Sequence, residues 1–388
     1  MRVGIVFLLL GYVLSQFYRA FLAVMAPVLK ADLGATADDL ASASGLWFLA
    51  FACMQLPIGA ALDRVGPRLT TAALMAVGAV GAAVFATATT PLAIKAAMVL
   101  VGIGCAPVLM ASYYIFARIY APAVFGTLAG ATIGIGSLGN IAASLPLTAA
   151  MEAFGWRETV WGLAGLTLAV AVAIGVAVKD PARSTGGAKG SLFDLLRMPA
   201  LWPILAMMVV CYAPVAGIRG LWVGPYFADV HGATPTQIGA VGLWMGLAMV
   251  AGNFAYGPLD RLLGSRKWVI FGGNALVVAC LLALWAWPAQ AGLGTAALIG
   301  LGFFGASFPM VIAHGRAFFP PHLMGRGVTL LNLFGIAPIG IAQMITGGIH
   351  AGTAPVPPSA PYAAIFLFFA LTTLVGLAVY LMSQDRTD

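Results

Sequence analysis

The sequence predicts an all-α membrane protein with twelve transmembrane helices arranged as two pseudo-symmetric six-helix bundles. Its 388 residues are 62% hydrophobic and only 8% charged, with a mean hydropathy of +1.00, whereas charged residues make up about a quarter of a globular domain. Twelve apolar runs of spanning length follow one another, and features of the first six recur in the last six at a nearly constant offset. A surface of this composition has to face lipid rather than water.

Each apolar run is about 18 to 25 residues long, enough to cross a hydrocarbon core of about 30 Å. The runs are continuous rather than alternating, which predicts helices, and only helices or closed barrels satisfy every backbone polar group in lipid. We expect the first run to be retained rather than cleaved as a signal peptide, because it carries Gln16 and Arg19 and has a counterpart in the second half. The runs begin near Val3, Ala41, Leu69, Leu92, Gly126, Val160, Leu201, Ile238, Trp268, Leu293, Gly327 and Pro361.

The basic residues predict the orientation of the chain. Fourteen of the 19 fall on one side of the predicted membrane, and the loops on the other side hold only Lys30 and Arg157. The positive-inside rule therefore places both termini and the central linker in the cytoplasm of a cell with an inner membrane. The net charge of +7 is then a topology signal, and we expect no binding to nucleic acid, because no basic face or soluble domain is present to carry it.

Motifs for cofactor chemistry are absent from the sequence. It has no Cys-x-x-Cys, no paired histidines four apart and no phosphate-binding loop. We therefore expect no enzymatic activity, no resident metal and no cofactor. The expected partners are the lipid bilayer and a small molecule, and we expect a monomer.

An internal repeat defines the domains. Leu-Asp-Arg at 62–64 recurs at 259–261, Gly-Leu-Trp at 45–47 recurs at 242–244, and VGIG at 101–104 matches IGLG at 299–302. The shared order and offset predict duplication into bundles of residues 1–178 and 201–388, joined by a polar cytoplasmic linker at 179–200. Two parallel six-helix halves are a known architecture of secondary transporters.

A charged motif follows the second apolar run. It consists of Gly59, Asp63, Arg64, Gly66 and Arg68. This pattern, Gly-x-x-x-Asp-(Arg/Lys)-x-Gly-x-(Arg/Lys), resembles the signature of the major facilitator superfamily, and the resemblance extends over the full length. Its second copy, at Asp260 and Arg261, is degraded.

The physical use of this motif is predicted to be a conformational latch. We expect Gly59 to allow close approach of neighbouring helices, and Asp63 to pair with basic side chains and with a helix N-terminus. Asp260 and Arg261 are expected to act likewise in the second half. The alternative interpretation is a topology anchor made of ordinary loop charges.

Two arginines lie within predicted helices, whereas none of the 12 acidic residues does. Arg19 and Arg219 each lie on the first helix of their half, past the expected midplane, where an ionisable side chain is costly and usually functional. Duplicated first helices line the central cavity in this fold, so the two guanidiniums are expected to face each other. With no membrane carboxylate available, the natural partner is a ligand anion. The alternative is that each arginine snorkels to the outer interface.

Other polar residues extend this predicted site. Tyr12 and Gln16 share a helix face with Arg19, and Tyr212 shares one with Arg219; Asn140 and Gln343 are further candidates. The first helix resembles that of the organophosphate/phosphate antiporter family, which holds substrate phosphate with one arginine on the first helix and one on the seventh. That family's fifth-helix histidine is absent here, so the sequence leaves carboxylate and phosphate ester open.

The sequence thus predicts a secondary active transporter that moves a small organic anion by alternating access. Three alternatives remain at this stage. The first is efflux of an apolar drug-like compound, and the second is a non-transporting sensor of the same fold. The third is metal-ion uptake through Met245 and Met249 or through Met310 and His314, whose four-residue spacing suits a soft ion.

Overall fold

A computed structural model of the chain describes residues 2–120, 122–181, 192–320 and 323–386, and all regular secondary structure in these ranges is helical. Side chains are described there except at positions 2, 122–127, 192, 193, 260, 261 and 325. Contacts divide the chain into two units. The first comprises the described residues up to 185 together with Pro235–Ala240, and the second comprises those of 186–234 and 241–388.

The helices of the first half often begin at a capping residue or a proline. Thr36 forms a capping box with Asp39, and Thr90 accepts a hydrogen bond from the backbone of Ala93. Proline, which lacks a backbone donor, is tolerated in a first turn, as at Pro67. The helices are α1 (Arg2–Tyr18), α2 (Phe21–Leu33), α3 (Ala37–Arg64), α4 (Pro67–Ala86), α5 (Pro91–Cys105), α6 (Pro107–Ile119), α7 (Pro122–Ala142), α8 (Leu145–Phe154) and α9 (Trp156–Ala177).

The second half has a similar succession of helices with more irregular turns. A π-helical turn covers Ile218–Trp222, and 3₁₀ turns cover Pro199–Leu201 and Gly305–Ser307. The helices are α10 (Leu192–Leu196), α11 (Trp202–Cys211), α12 (Ala213–Gly217), α13 (Val223–His231), α14 (Pro235–Leu263), α15 (Arg266–Ala286), α16 (Ala291–Phe304), α17 (Phe308–Arg316), α18 (Met324–Gly352) and α19 (Ala360–Tyr380).

The number of membrane spans agrees with the sequence. Within the described ranges, 10 helical segments are long and apolar enough to cross a membrane. Two more spans come from bent pairs: α1 and α2 meet at 48°, and α7 and α8 meet at 42°. Counting each bent pair as one span gives 12. The predicted all-α membrane fold is confirmed, with the correction that the first and fifth spans are broken rather than continuous.

The duplication is visible in how helices pack inside each unit. A Cβ atom placed on Gly102 of α5 would lie 2.5 Å from the Trp47 carbonyl oxygen of α3. A Cβ atom placed on Gly302 of α16 would lie 2.5 Å from the Met245 carbonyl oxygen of α14. Glycine is needed at both positions because the two backbones approach too closely for any side chain. The second and fourth spans of each half therefore make the same kind of close backbone contact.

Candidate functional site

Arg19 lies at the break between α1 and α2. Its side chain is only 9% exposed, and no ion pair involving it is found among the described residues. The guanidinium carbon lies 5.5 Å from the ring centroid of Trp47 and 4.8 Å from that of Phe51. A desolvated cation–π contact contributes about 2 kcal/mol, which is less than the several kcal/mol that burying a charge costs. The aromatic rings position this cation without neutralising it.

The polar residues predicted beside Arg19 are buried in the same unit. The amide nitrogen of Gln16 donates to the hydroxyl of Tyr12 at 3.2 Å, and Tyr12 packs on Gly136 of α7. Asn140 lies one turn after Gly136 on α7 and is 3% exposed. The first unit therefore brings Tyr12, Gln16 and Arg19 onto one stretch of the first span, with α7 packed against it.

Arg219 lies inside the π-helical turn of the seventh span and is 3% exposed. The amide nitrogen of Gln343, on α18, donates to the carbonyl oxygen of Gly217 at 3.0 Å, directly before this turn. Tyr212 occupies the break between α11 and α12, with its ring centroid 5.0 Å from that of Phe308. π-Helical turns occur frequently at functional sites. Arg219, Tyr212 and Gln343 are thus associated with irregular backbone in the second unit.

The motif after the second span forms contacts within its own unit. Asp63 is 3.5 Å from the guanidinium of Arg118. The backbone nitrogen of Arg68 donates to Asp180 at 2.8 Å, and this carboxylate fills the space that a Cβ at Gly66 would need. Gly66 also has a φ of +103°, which glycine adopts without strain. Asp180, which the sequence analysis did not single out, is therefore a central partner of the motif.

The role predicted for Gly59 in the latch stays a prediction. Among the described residues, a Cβ atom placed on Gly59 would meet nothing within 4 Å. Arg64 is exposed. The side chains of Asp260 and Arg261 lie outside the described residues.

A second carboxylate contact of the same kind occurs in the second unit. The backbone nitrogen of Lys267, at the start of α15, donates to Asp385 at 3.0 Å, and the Ser265 hydroxyl donates to the same carboxylate. Burial raises the pKa of Asp385, but these hydrogen bonds outweigh burial, so its pKa lies below the ordinary value. Each unit thus has an aspartate bonded to the first turn of a helix, where the helix dipole favours a negative charge.

The residues of the metal-uptake alternative are engaged in other contacts. Nε2 of His314 is 2.9 Å from the Gln384 carbonyl oxygen, and Nδ1 is 2.7 Å from the Tyr380 hydroxyl. Met245 and Met249 are buried in the core of their unit. In the described part of the chain, no three His, Cys, Asp or Glu side chains are grouped to bind a metal ion.

Comparison with known families agrees with these features. The family model of the Major Facilitator Superfamily matches residues 8–222, more than half of the chain. The chain belongs to the major facilitator superfamily. It is therefore a multi-pass membrane transporter of that superfamily. No curated protein sequence matches it significantly.

Solved structures of other transporters have the same fold. The nucleoside transporter NupG aligns with a TM-score of 0.75 and 15% identity, over 98% of this chain and 98% of that one. A bacterial homologue of the human lysosomal transporter Spinster, in an inward-facing and occupied conformation, aligns with a TM-score of 0.71 and 16% identity, over 97% and 95% of the two chains. At these identities the likeness shows the fold.

Proposed function

We propose that this superfamily member is a secondary active transporter of a small organic anion, a carboxylate or a phosphate ester, bound by Arg19 and Arg219. We further propose that it acts as a monomer in the inner membrane, with both termini in the cytoplasm, by alternating access. The observation that carries the proposal is the burial of Arg19 at a broken helix with no ion pair among the described residues. Broken spans bind substrate in several transporter folds.

The energetics support an anion as the ligand. A buried guanidinium is stabilised when a carboxylate or phosphate accepts two parallel hydrogen bonds from it. Arg is better suited than Lys to this geometry, because its planar fork matches both anions. One arginine on the first span and one on the seventh also favour a carrier resembling the organophosphate/phosphate antiporters over an exporter of apolar compounds.

A thermal-shift screen tests the proposal. The purified protein is heated with a panel of small carboxylates and phosphate esters, because a ligand that binds the native state raises its stability by mass action. Stabilisation by an active anion is expected to disappear in Arg19→Ala and in Arg219→Ala. Arg19→Lys and Arg219→Lys should retain part of it, since lysine keeps the charge but not the fork.

Arg386→Ala is the control, because Arg386 is an exposed arginine near the end of the described chain. It should be stabilised like the wild type. Equal stabilisation of the wild type and both alanine variants at Arg19 and Arg219 would show that the arginines do not bind the ligand.

A further inference from the structure

The first unit contains several buried polar atoms that have no hydrogen-bond partner among the described residues. They are Oε1 of Gln16, Nε of Arg19, Nε1 of Trp47 and both amide atoms of Asn140. All four side chains are at least nine-tenths buried. The large majority of buried side-chain polar atoms in proteins have a hydrogen-bond partner, so each of these atoms needs an explanation.

These side chains are held along one short stretch of the first span. Arg19 stacks on Trp47, and Gln16 lies one turn before Arg19. Cβ atoms on Gly136 and Gly139 would collide with Tyr12 and with the Val13 backbone, so α7 is pressed against α1 over these residues. Asn140 follows Gly139 directly and therefore lies at the level of Gln16 and Phe17 along the span.

The Gln16 amide makes one hydrogen bond within the described part of the chain. Its Nε2 donates to Tyr12, which leaves Oε1 as the amide atom without a partner. The unmatched set therefore contains donors, on Arg19, Trp47 and Asn140, and also acceptors, the amide oxygens of Gln16 and Asn140.

A plain carboxylate or a fully ionised phosphate ester without a hydroxyl group offers only acceptors. It would pair with the donors and would leave the two amide oxygens without a donor. A hydroxyl group has one donor and two acceptor sites, so an anion that carries one can donate to one of the amide oxygens and accept from the amide nitrogen of Asn140.

We infer that the transported anion carries a hydroxyl group beside its charged group, and that Asn140 and Gln16 bind this hydroxyl. This inference rests on the proposed function. The arginines supply affinity for the negative charge, whereas the two amides supply selectivity. A site built to bind a hydroxyl rejects the analogue that lacks it, because its buried polar groups are then left unpaired.

Matched ligand pairs test the inference in the purified full-length protein. The pairs are lactate and propionate, malate and succinate, and glycerol 3-phosphate and propyl phosphate. Dissociation constants are measured by calorimetry for the wild type and for Asn140→Leu, Gln16→Met and Ser137→Ala. Ser137 is the matched control, because it is buried one turn earlier on α7 and its hydroxyl donates to the Ile133 carbonyl of its own helix.

For at least one pair, the wild type and Ser137→Ala should bind the hydroxylated member at least about tenfold more tightly, the effect expected when a buried polar group is left unpaired. Asn140→Leu and Gln16→Met should each reduce this preference while still binding the plain anion. If Asn140→Leu fails to fold, the inference is tested by the wild-type preference for the hydroxylated member and by the reduction of that preference in Gln16→Met.

The experiment distinguishes failure of the hydroxyl inference from failure of the proposed function. Equal binding of both members of every pair, with binding still dependent on Arg19, would overturn the hydroxyl inference and leave the proposed function intact. A preference that persists unchanged in both amide variants would do the same. Absence of binding by every anion would overturn both.

Discussion

Arg19 and Arg219 occupy corresponding places in the two halves, 200 positions apart, yet the surrounding structure differs. Arg19 lies at a 48° break and stacks on the rings of Trp47 and Phe51. Arg219 lies in a π-helical turn next to Gly217, whose carbonyl is bonded by Gln343. The two halves therefore share the cation and an irregular backbone, but not the residues that support them. This difference indicates that the arginine itself, rather than one particular packing arrangement, is what the two halves have in common.

The fifth span of each half also packs differently, and one substitution in each half sharpens the comparison. A Cβ on Gly139 would collide with the backbone of Val13, whereas a Cβ on Gly335 would meet the ends of the Phe308 and Met208 side chains. Backbone cannot move aside as a side chain can, so Gly139→Ala is expected to destabilise the protein by about 1–3 kcal/mol.

Gly335→Ala is the comparison variant for this prediction. Its helix-propensity gain of about 1 kcal/mol offsets much of a small packing cost, so its stability should stay close to that of the wild type. Thermal unfolding of both variants in the same detergent measures the difference. Equal destabilisation by the two substitutions would contradict the backbone contact between α1 and α7.

The carboxylates at the helix starts permit a second comparison with a smaller effect. The pKa of Asp385 is lowered in the folded protein. As the pH falls, the Asp385 carboxylate therefore becomes protonated in the unfolded chain before it does so in the folded protein. The stabilisation is complete above the ordinary pKa of about 4 and is lost as the pH falls through the folded-state value. Asp385→Asn should cost less than about 1 kcal/mol, because the group is exposed.

Thermal unfolding between pH 3 and pH 7 measures this effect. Asp385→Asn should remove part of the acid-dependent loss of stability seen in the wild type. Asp180→Asn is the comparison variant, which should leave the contribution of Asp385 in place. An unchanged pH profile in Asp385→Asn would argue against the hydrogen bonds to Ser265 and Lys267.

Much of the fold could be predicted from the sequence, because spanning length, apolar composition and an internal repeat are local or periodic signals. The break at Arg19 could not be predicted in this way. The segment FYRAF contains neither proline nor glycine, so the break depends on tertiary packing. The irregular turn at Arg219 could be predicted in part, since Gly217 and Gly220 lie on either side of this residue.

The candidate site was predicted in part. Burial of Arg19 and Arg219 follows from their position in apolar runs, but the aromatic rings beside Arg19 were missed. The repeated Gly-Leu-Trp was a possible signal for Trp47, but its counterpart Trp244 is exposed, so the repeat alone does not identify the role. The latch motif was recognised, whereas its partner Asp180 lies 112 positions beyond Arg68 and has no sequence pattern that links the two.

Uptake of an anion by proteoliposomes tests the central claim most directly. An anion that stabilises the wild type is supplied outside vesicles that contain the wild type, Arg19→Ala, Arg219→Ala or Arg386→Ala, and its internal amount is followed with time. The wild type and Arg386→Ala should accumulate the anion, and each of the other two variants should remain at the level of protein-free vesicles. Wild-type uptake by Arg19→Ala and Arg219→Ala, or no uptake by the wild type, would contradict the account.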